Sequence, residues 1–313
     1  MSVFSDLRLR LLGGRSRPGD VDTGAMAHVG PHFDGLTARD VVPDAPFVFR
    51  NQLTEHPLFT DERLEWLLDR ARRRSPELLE IREVSTDALP GYGRARRVDG
   101  EPVAVFRALA TCPRWINVQH IERIDSDFAD LYREILCELA QSIAPMRPRV
   151  LDSGAFLILS SPSVQVHFHA DPDQSVLSQI RGHKRVYVYA ASAVSELELE
   201  ALVRTEDQGV IPWSSRIERA AFPAVDLHAG ESAFLPIYAP HRVENGPEVS
   251  VSLSVGFHTG MSRRRKLALL LNDRLRGRGV TPPRVGQGAV EVGVRAALLR
   301  GWNLSRRLRG RPS

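Results

Sequence analysis

The chain has 313 residues, 42% hydrophobic and 26% charged, a balance typical of a globular protein able to bury a substantial core. Its longest clean apolar run, Leu267 to Leu271, falls far short of the roughly 20 residues that cross a bilayer. Only Cys112 and Cys137 are present and the N-terminus has no apolar secretory core, which predicts reduced thiols and a cytoplasmic location. The formal net charge of +4 is unevenly spread: from Met261 onward 14 Lys and Arg face only Asp273 and Glu291, a local balance of +12 that leaves −8 for the rest. The body is mildly acidic and the tail strongly basic.

Residues 1–42 are rich in Gly, Arg, Pro and Asp without sustained periodicity and read as a loosely structured segment. A mixed, mostly helical region follows over 43–150. Pro46 to Arg50 reads as a strand, and Thr60-Asp61-Glu62 opens a helix with a capping hydroxyl and acids in its first turn. Leu64, Leu67, Leu68 and Ala71 form that helix's buried stripe, and Arg72 to Arg74 suit its C-terminal end. A second amphipathic helix starts near Ser126 and buries Phe128, Leu131, Tyr132, Ile135 and Leu139.

From Gly154 the period becomes strand-like. Segments 155–159, 164–169, 175–180, 186–189, 232–236 and 249–257 are short, rich in β-formers and separated by Gly, Pro or polar turns. Many short antiparallel strands enclosing a site describe a jelly roll, here over 151–260. The expected class is therefore α+β, mainly β: a double-stranded β-helix (jelly roll) with helical extensions at both ends. After Met261 helix returns over 263–276 and 289–308, with leucines and valines interleaved among arginines.

The chemistry concentrates in Val166-His167-Phe168-His169-Ala170-Asp171, in Gln179-Ile180-Arg181-Gly182-His183-Lys184-Arg185, and in Pro240-His241-Arg242-Val243. Strand alternation puts His169 and Asp171 on one face, and a third donor from a neighbouring strand completes a two-histidine, one-carboxylate set with open positions, as non-haem Fe(II) requires. His167 has the same parity as His169, so a set of His167, His169 and His241 is also open. His32-Phe33-Asp34 is a second H-x-D in a loop-like segment, read as chance. His228 is expected at an exposed turn, and His258 just after the last strand, with nothing to bring it to a metal.

Taken together, H-x-D, Q-I-x-G-x-K-R with its lysine thirteen residues after the aspartate, and P-H-x-V before a final alternating strand resemble the JmjC-related, cupin-like branch of the Fe(II)/2-oxoglutarate oxygenases, which includes asparaginyl hydroxylases. The resemblance covers about 150–260. It implies that His169, Asp171 and His241 are the iron ligands and that Lys184 anchors the far carboxylate of 2-oxoglutarate. Ser175 is assigned to the co-substrate as well, with Gln179 and Ser252 as further hydrogen-bonding groups of the cavity. The implied co-substrates are 2-oxoglutarate and O2, and the default outcome is hydroxylation of a C–H bond in an amino acid, a peptide or protein residue, or a natural-product intermediate.

Two other classes stay open: a non-catalytic cupin-like sensor whose basic tail contacts nucleic acid, and a metal cupin that works without 2-oxoglutarate, for which Lys184 would have no use. The basic helices have three readings, namely nucleic-acid contact, an interfacial membrane helix, and a packing element that forms a homodimer. The third is preferred, because members of the resembled branch often dimerise through helices after the barrel.

Overall fold

Eight consecutive strands between Val150 and Thr259 pass back and forth between two antiparallel sheets, the fourth and fifth sharing the smaller one, and this winding defines the fold. They are β6 (Val150–Ser160), β7 (Gln165–His169), β8 (Gln174–Arg181), β9 (His183–Val188), β10 (Val225–His228), β11 (Glu231–Leu235), β12 (His241–Asn245) and β13 (Ser250–Thr259). The larger sheet contains the order β11-β8-β13-β6, and the smaller one is β10-β9-β12-β7. Two four-stranded sheets joined in this order make a double-stranded β-helix. This computed structural model describes residues 32–34, 45–84, 95–142, 150–205, 211–286 and 289–308. The expected loose segment 1–42 therefore lies almost wholly outside the described residues.

The N-terminal region extends the larger sheet as well as covering it. On one edge stand β1 (Phe33–Asp34) and β2 (Phe47–Asn51); on the other stand β5 (Arg114–Gln119), β3 (Leu79–Val84) and β4 (Ala95–Arg97). His32-Phe33-Asp34 is thus part of a short edge strand rather than a loop, with the His32 and Phe33 N–H groups donating to Glu138 at 2.7 and 2.9 Å. The strands β3, β4, β5, β10 and β12 are absent from the sequence reading. Their charged outward positions dilute the apolar signal.

Two helices cover the outer face of the larger sheet. Helix α1 (Asp61–Arg74) is capped by the Thr60 hydroxyl, which accepts from the Arg63 N–H at 3.3 Å, and buries Leu64, Leu67, Leu68 and Ala71 as the periodicity predicts. Helix α2 (Ser126–Ser142) buries Phe128, Leu131, Tyr132, Ile135 and Leu139. They share one core with Val176, Ile180, Phe234, Val251, Leu253, Val255 and Phe257 from the sheet. Each large side chain fully buried there contributes about 1.5–3 kcal/mol.

The opposite, inward face of the barrel strands forms a second core of Leu177, Val186, Val188, Leu227, Ala233, Leu235 and Val243. A third cluster lies outside the smaller sheet, where Phe168, Tyr189 and Trp213 meet edge to face at 5.1–5.8 Å. It joins α3 (Glu196–Thr205) to Leu269 of α4 (Gly260–Arg276). The Thr259 and Ser262 side chains cap α4 reciprocally, and α5 (Ala289–Leu308) packs on it. Neither Cys112 nor Cys137 forms a disulfide among the described residues. Among the described residues no helix is long and apolar enough to cross a membrane.

The chain passes from β8 in the larger sheet to β9 in the smaller one through a turn at Gly182, whose φ of +75° lies in the left-handed region. A Cβ there would stand 2.7 Å from the Val249 carbonyl oxygen. Gly182→Ala is expected to lower stability by about 1–3 kcal/mol, from backbone strain and the clash together. Urea denaturation followed by circular dichroism checks this, and an unchanged midpoint would contradict the turn geometry.

Candidate metal and diacid site

Strand β12 is hydrogen-bonded on both sides, and its register builds the site. His241 stands opposite His169 of β7 and Val188 of β9; four residues on, Asn245 stands opposite Lys184. His241, Val243 and Asn245 are buried while Arg242 and Glu244 are half-buried, so the alternating face that turns inward carries His241. Lys184, Val186 and Val188 are the buried face of β9 in the same way.

Asp171 lies beyond the end of β7, in the turn to β8, so strand alternation does not place it. A backbone clamp does: the Tyr238 N–H donates to the Asp171 carbonyl oxygen at 3.1 Å, tying this turn to the one before β12. Tyr238 is fully buried and has φ +61°, a left-handed conformation unusual for an aromatic residue and held by its surroundings. Next to the turn, Gly256 of β13 leaves room for Asp173, whose Oδ2 would be 2.8 Å from a Cβ at that position.

Together these elements bring one ligand atom each of His169, Asp171 and His241 within 4.8 Å of one another. The two imidazole centroids are 4.2 Å apart, and His241 Nε2 is 3.8 Å from Asp171 Oδ2. His241 Nδ1 lies 3.0 Å from the Ala239 carbonyl oxygen. A carbonyl has no proton to give, so Nδ1 carries the proton and donates it, which leaves the Nε2 lone pair facing the carboxylate. Two acceptors facing each other call for a cation between them. Two nitrogens and an oxygen, with no thiolate, suit a divalent first-row metal with positions left over.

Lys184 is 2% exposed, and no hydrogen bond or ion pair reaches it from the described residues. Burial alone pushes its pKa from 10.5 down to about 7. An isolated buried ammonium is strongly unfavourable unless an anion joins it. The inward groups of the larger sheet near this end are neutral and bonded mainly to each other: Ser252 donates to Gln179 Oε1 at 2.7 Å, and Gln179 Nε2 donates to Ser250 at 2.9 Å. Gln179 and Ser252 are therefore committed to one another rather than to the cavity.

Ser175 is buried at the start of β8, opposite Leu235 and Gly256. The side chain of His167 lies outside the described residues. The register of β7 against β12 is interrupted, because Val243 opposes Val166 while His241 opposes His169: three steps of β7 match two of β12, a β-bulge. His228 is exposed at the end of β10. His258 lies within β13 rather than after it and is buried, with Nδ1 3.4 Å from the Ser262 hydroxyl. The sequence reading missed Tyr238 and Asn245. The latter has a buried, unpaired Oδ1 and faces Lys184 across the strands.

No family model matches the chain, and no curated protein matches it. Among solved structures, the ribosomal oxygenase YcfD of Escherichia coli with cobalt and 2-oxoglutarate is 19% identical, with a TM-score of 0.45 over 83% of this chain and 63% of that one. A second YcfD structure, with cobalt and succinic acid, is 17% identical with a TM-score of 0.44 and covers 83% and 63%. The chain thus spans less than two thirds of the length of these proteins. The strand order, not this partial overlay, establishes the fold.

Asp171→Ala removes the carboxylate from the donor set and is expected to weaken Mn(II) binding about a hundredfold or more, since even outer partners of metal ligands are worth 10–100-fold. Calorimetric titration of Mn(II) measures it. Unchanged affinity in Asp171→Ala together with a loss in His167→Ala would establish the three-histidine set instead.

Proposed function

We propose that this chain is an Fe(II)/2-oxoglutarate-dependent oxygenase that hydroxylates an unactivated C–H bond in an amino acid, a peptide or protein residue, or a natural-product intermediate. The observation that carries the reading is the buried Lys184, without a partner among the described residues, in the same barrel interior as the His169, Asp171 and His241 donors. A divalent metal and an ammonium outweigh the single carboxylate by two charges, and 2-oxoglutarate brings two. A metal cupin without a diacid has no use for the cation. It would only repel the metal.

In this reading His169, Asp171 and His241 hold the iron, Lys184 receives the distal carboxylate, and Ser175 offers a hydrogen bond from the inner wall. Iron with bound 2-oxoglutarate and O2 supplies the oxidising power, and succinate and CO2 leave. The chain's own part is positional. The Ala239 carbonyl fixes the His241 tautomer, the Tyr238 N–H fixes the Asp171 turn, and Leu177, Val186, Val188 and Val243 form a dry wall. Lys184 sits four residues along β9 from the partner of His241, about 13 Å of strand at 3.3 Å per residue, so anchor and metal site lie at different depths.

The same cation makes a separable prediction about stability. Its folded pKa is lowered, so between about 7 and 10.5 the unfolded chain binds more protons and stability rises with pH; below about 7 the full penalty of the buried charge is present. Lys184→Met should therefore stabilise the protein by several kcal/mol at pH 6, because each tenfold loss of proton affinity on folding costs about 1.4 kcal/mol, and by little at pH 10. It should also weaken 2-oxoglutarate binding about a hundredfold, because a lone buried carboxylate costs about 3–5 kcal/mol. Denaturation midpoints and calorimetric titration of the Mn(II)-loaded variant check both. Unchanged 2-oxoglutarate affinity would remove the main support for the oxygenase reading.

The partner assignment rests on α5. Val290, Val294 and Leu298 are 81, 55 and 59% exposed along one side of the helix, while Val292, Ala296 and Leu299 are buried beneath. Ala297 and Gly301 keep that outer stripe shallow, and it carries no charge. A second copy presenting the same uncharged stripe covers it by two-fold symmetry, giving a homodimer. Several arginines of the basic tail meanwhile have partners within the chain: Arg276 pairs with Glu200 at 2.8 Å, and Arg295 with Glu291 at 2.9 Å. Leu298→Asp is expected to yield monomer in sedimentation at low and high salt alike. A wild-type monomer that binds DNA in a salt-sensitive way would favour a nucleic-acid role for this tail.

A further inference from the structure

Lys184 has no counter-charge inside the barrel at its own depth among the described residues. On the larger sheet the inward side chains there are Ser160, Gln179, Ser250 and Ser252, all neutral, and Asn245 faces it from β12 and Leu227 from β10. The carboxylate on the same strand face as Ala233 is Glu231, and its Oε2 accepts the His228 N–H at 2.9 Å in the β10–β11 turn. His183 and Arg185 flank Lys184 on the opposite face, beside Asp226 at 3.4 and 3.8 Å. Glu244 faces outward too, accepting from the Tyr187 hydroxyl at 2.9 Å. Asp171 and the two histidines of the metal set belong to the other depth of the interior.

We infer that binding of 2-oxoglutarate is coupled to the uptake of one proton by Lys184, which is a neutral amine in the free protein and an ammonium only when the distal carboxylate is beside it. This rests on the oxygenase reading above and deepens it. The proton comes from solvent and ends on Nζ; no covalent bond changes elsewhere. The physical reason is that an amine held in a neutral, desolvated wall loses its proton far more readily than one in water, and that a buried carboxylate restores the charged form. Burial lowers the group to about 7, so at a pH near 8 the neutral amine predominates in the free protein. The barrel would then bind the diacid as dianion plus proton, and affinity would fall as pH rises, opposite to the trend expected for metal ligands that must lose protons.

The test is calorimetric titration of 2-oxoglutarate into Mn(II)-loaded protein at pH 8 in two buffers of different ionisation enthalpy, phosphate and Tris. The expected result is uptake of a substantial fraction of one proton per ligand bound, and an affinity that weakens several-fold between pH 7.5 and 8.5. Lys184→Arg, whose guanidinium stays charged, should bind with no proton uptake and a flat profile over the same range. Wild-type binding without proton uptake would overturn this inference and leave the oxygenase reading standing. Absence of binding at every pH from 6.5 to 8.5 would remove that reading and this inference with it.

Discussion

The site depends on the double pairing of β12. Because this strand is bonded to β7 on one side and β9 on the other, one five-residue segment sets His241 against His169 at one end and Asn245 against Lys184 at the other. Metal donors and buried cation are thereby held at two depths of one interior by backbone hydrogen bonds rather than by flexible side-chain contacts. A one-residue slip of β12 would turn His241 outward and exchange it for Arg242. The bulge in β7 absorbs the mismatch, letting both His169 and Val166 meet inward residues of β12.

Lys184 also shows how function sits against stability in this fold. A methionine there would fill the space without a charge to desolvate, and the neighbouring Leu227 and Val186 ask for no ammonium. A residue that weakens the free protein and serves only a bound dianion is the kind of local inconsistency that marks a binding site. Tyr238 is a second instance. Its left-handed backbone is unfavourable by itself, yet its N–H holds the carbonyl of Asp171.

Much of this was legible in the residues. The capped helix at Thr60 and the stripe of Leu64, Leu67, Leu68 and Ala71 follow from local periodicity, whereas the alternation of β13 separates two covered faces, since Ser250 and Ser252 are buried as fully as Val251 and Leu253. The fold class follows from many short β-rich segments. What stayed hidden depends on long-range pairing. Strands β10 and β12 carry Asp226, His228, Arg242 and Glu244 on their outer faces, and only their neighbours make them strands. Asp171 lies in the expected group for a different reason than alternation: a turn and a distant N–H position it. The bulge in the β7–β12 register leaves no mark in the amino-acid pattern, and His258 reads as a loop residue although β13 runs on to Thr259.

A crystal structure of the protein with Mn(II) and 2-oxoglutarate, grown without O2, would decide between these sites in one step. Metal-to-ligand distances of about 2.0–2.2 Å to His169, Asp171 and His241 are expected. The distal carboxylate of the diacid should lie on Lys184 Nζ at about 2.7–2.9 Å. Metal held by His167 in place of Asp171, or a diacid bound with its far carboxylate away from Lys184, would refute the oxygenase site drawn from this barrel.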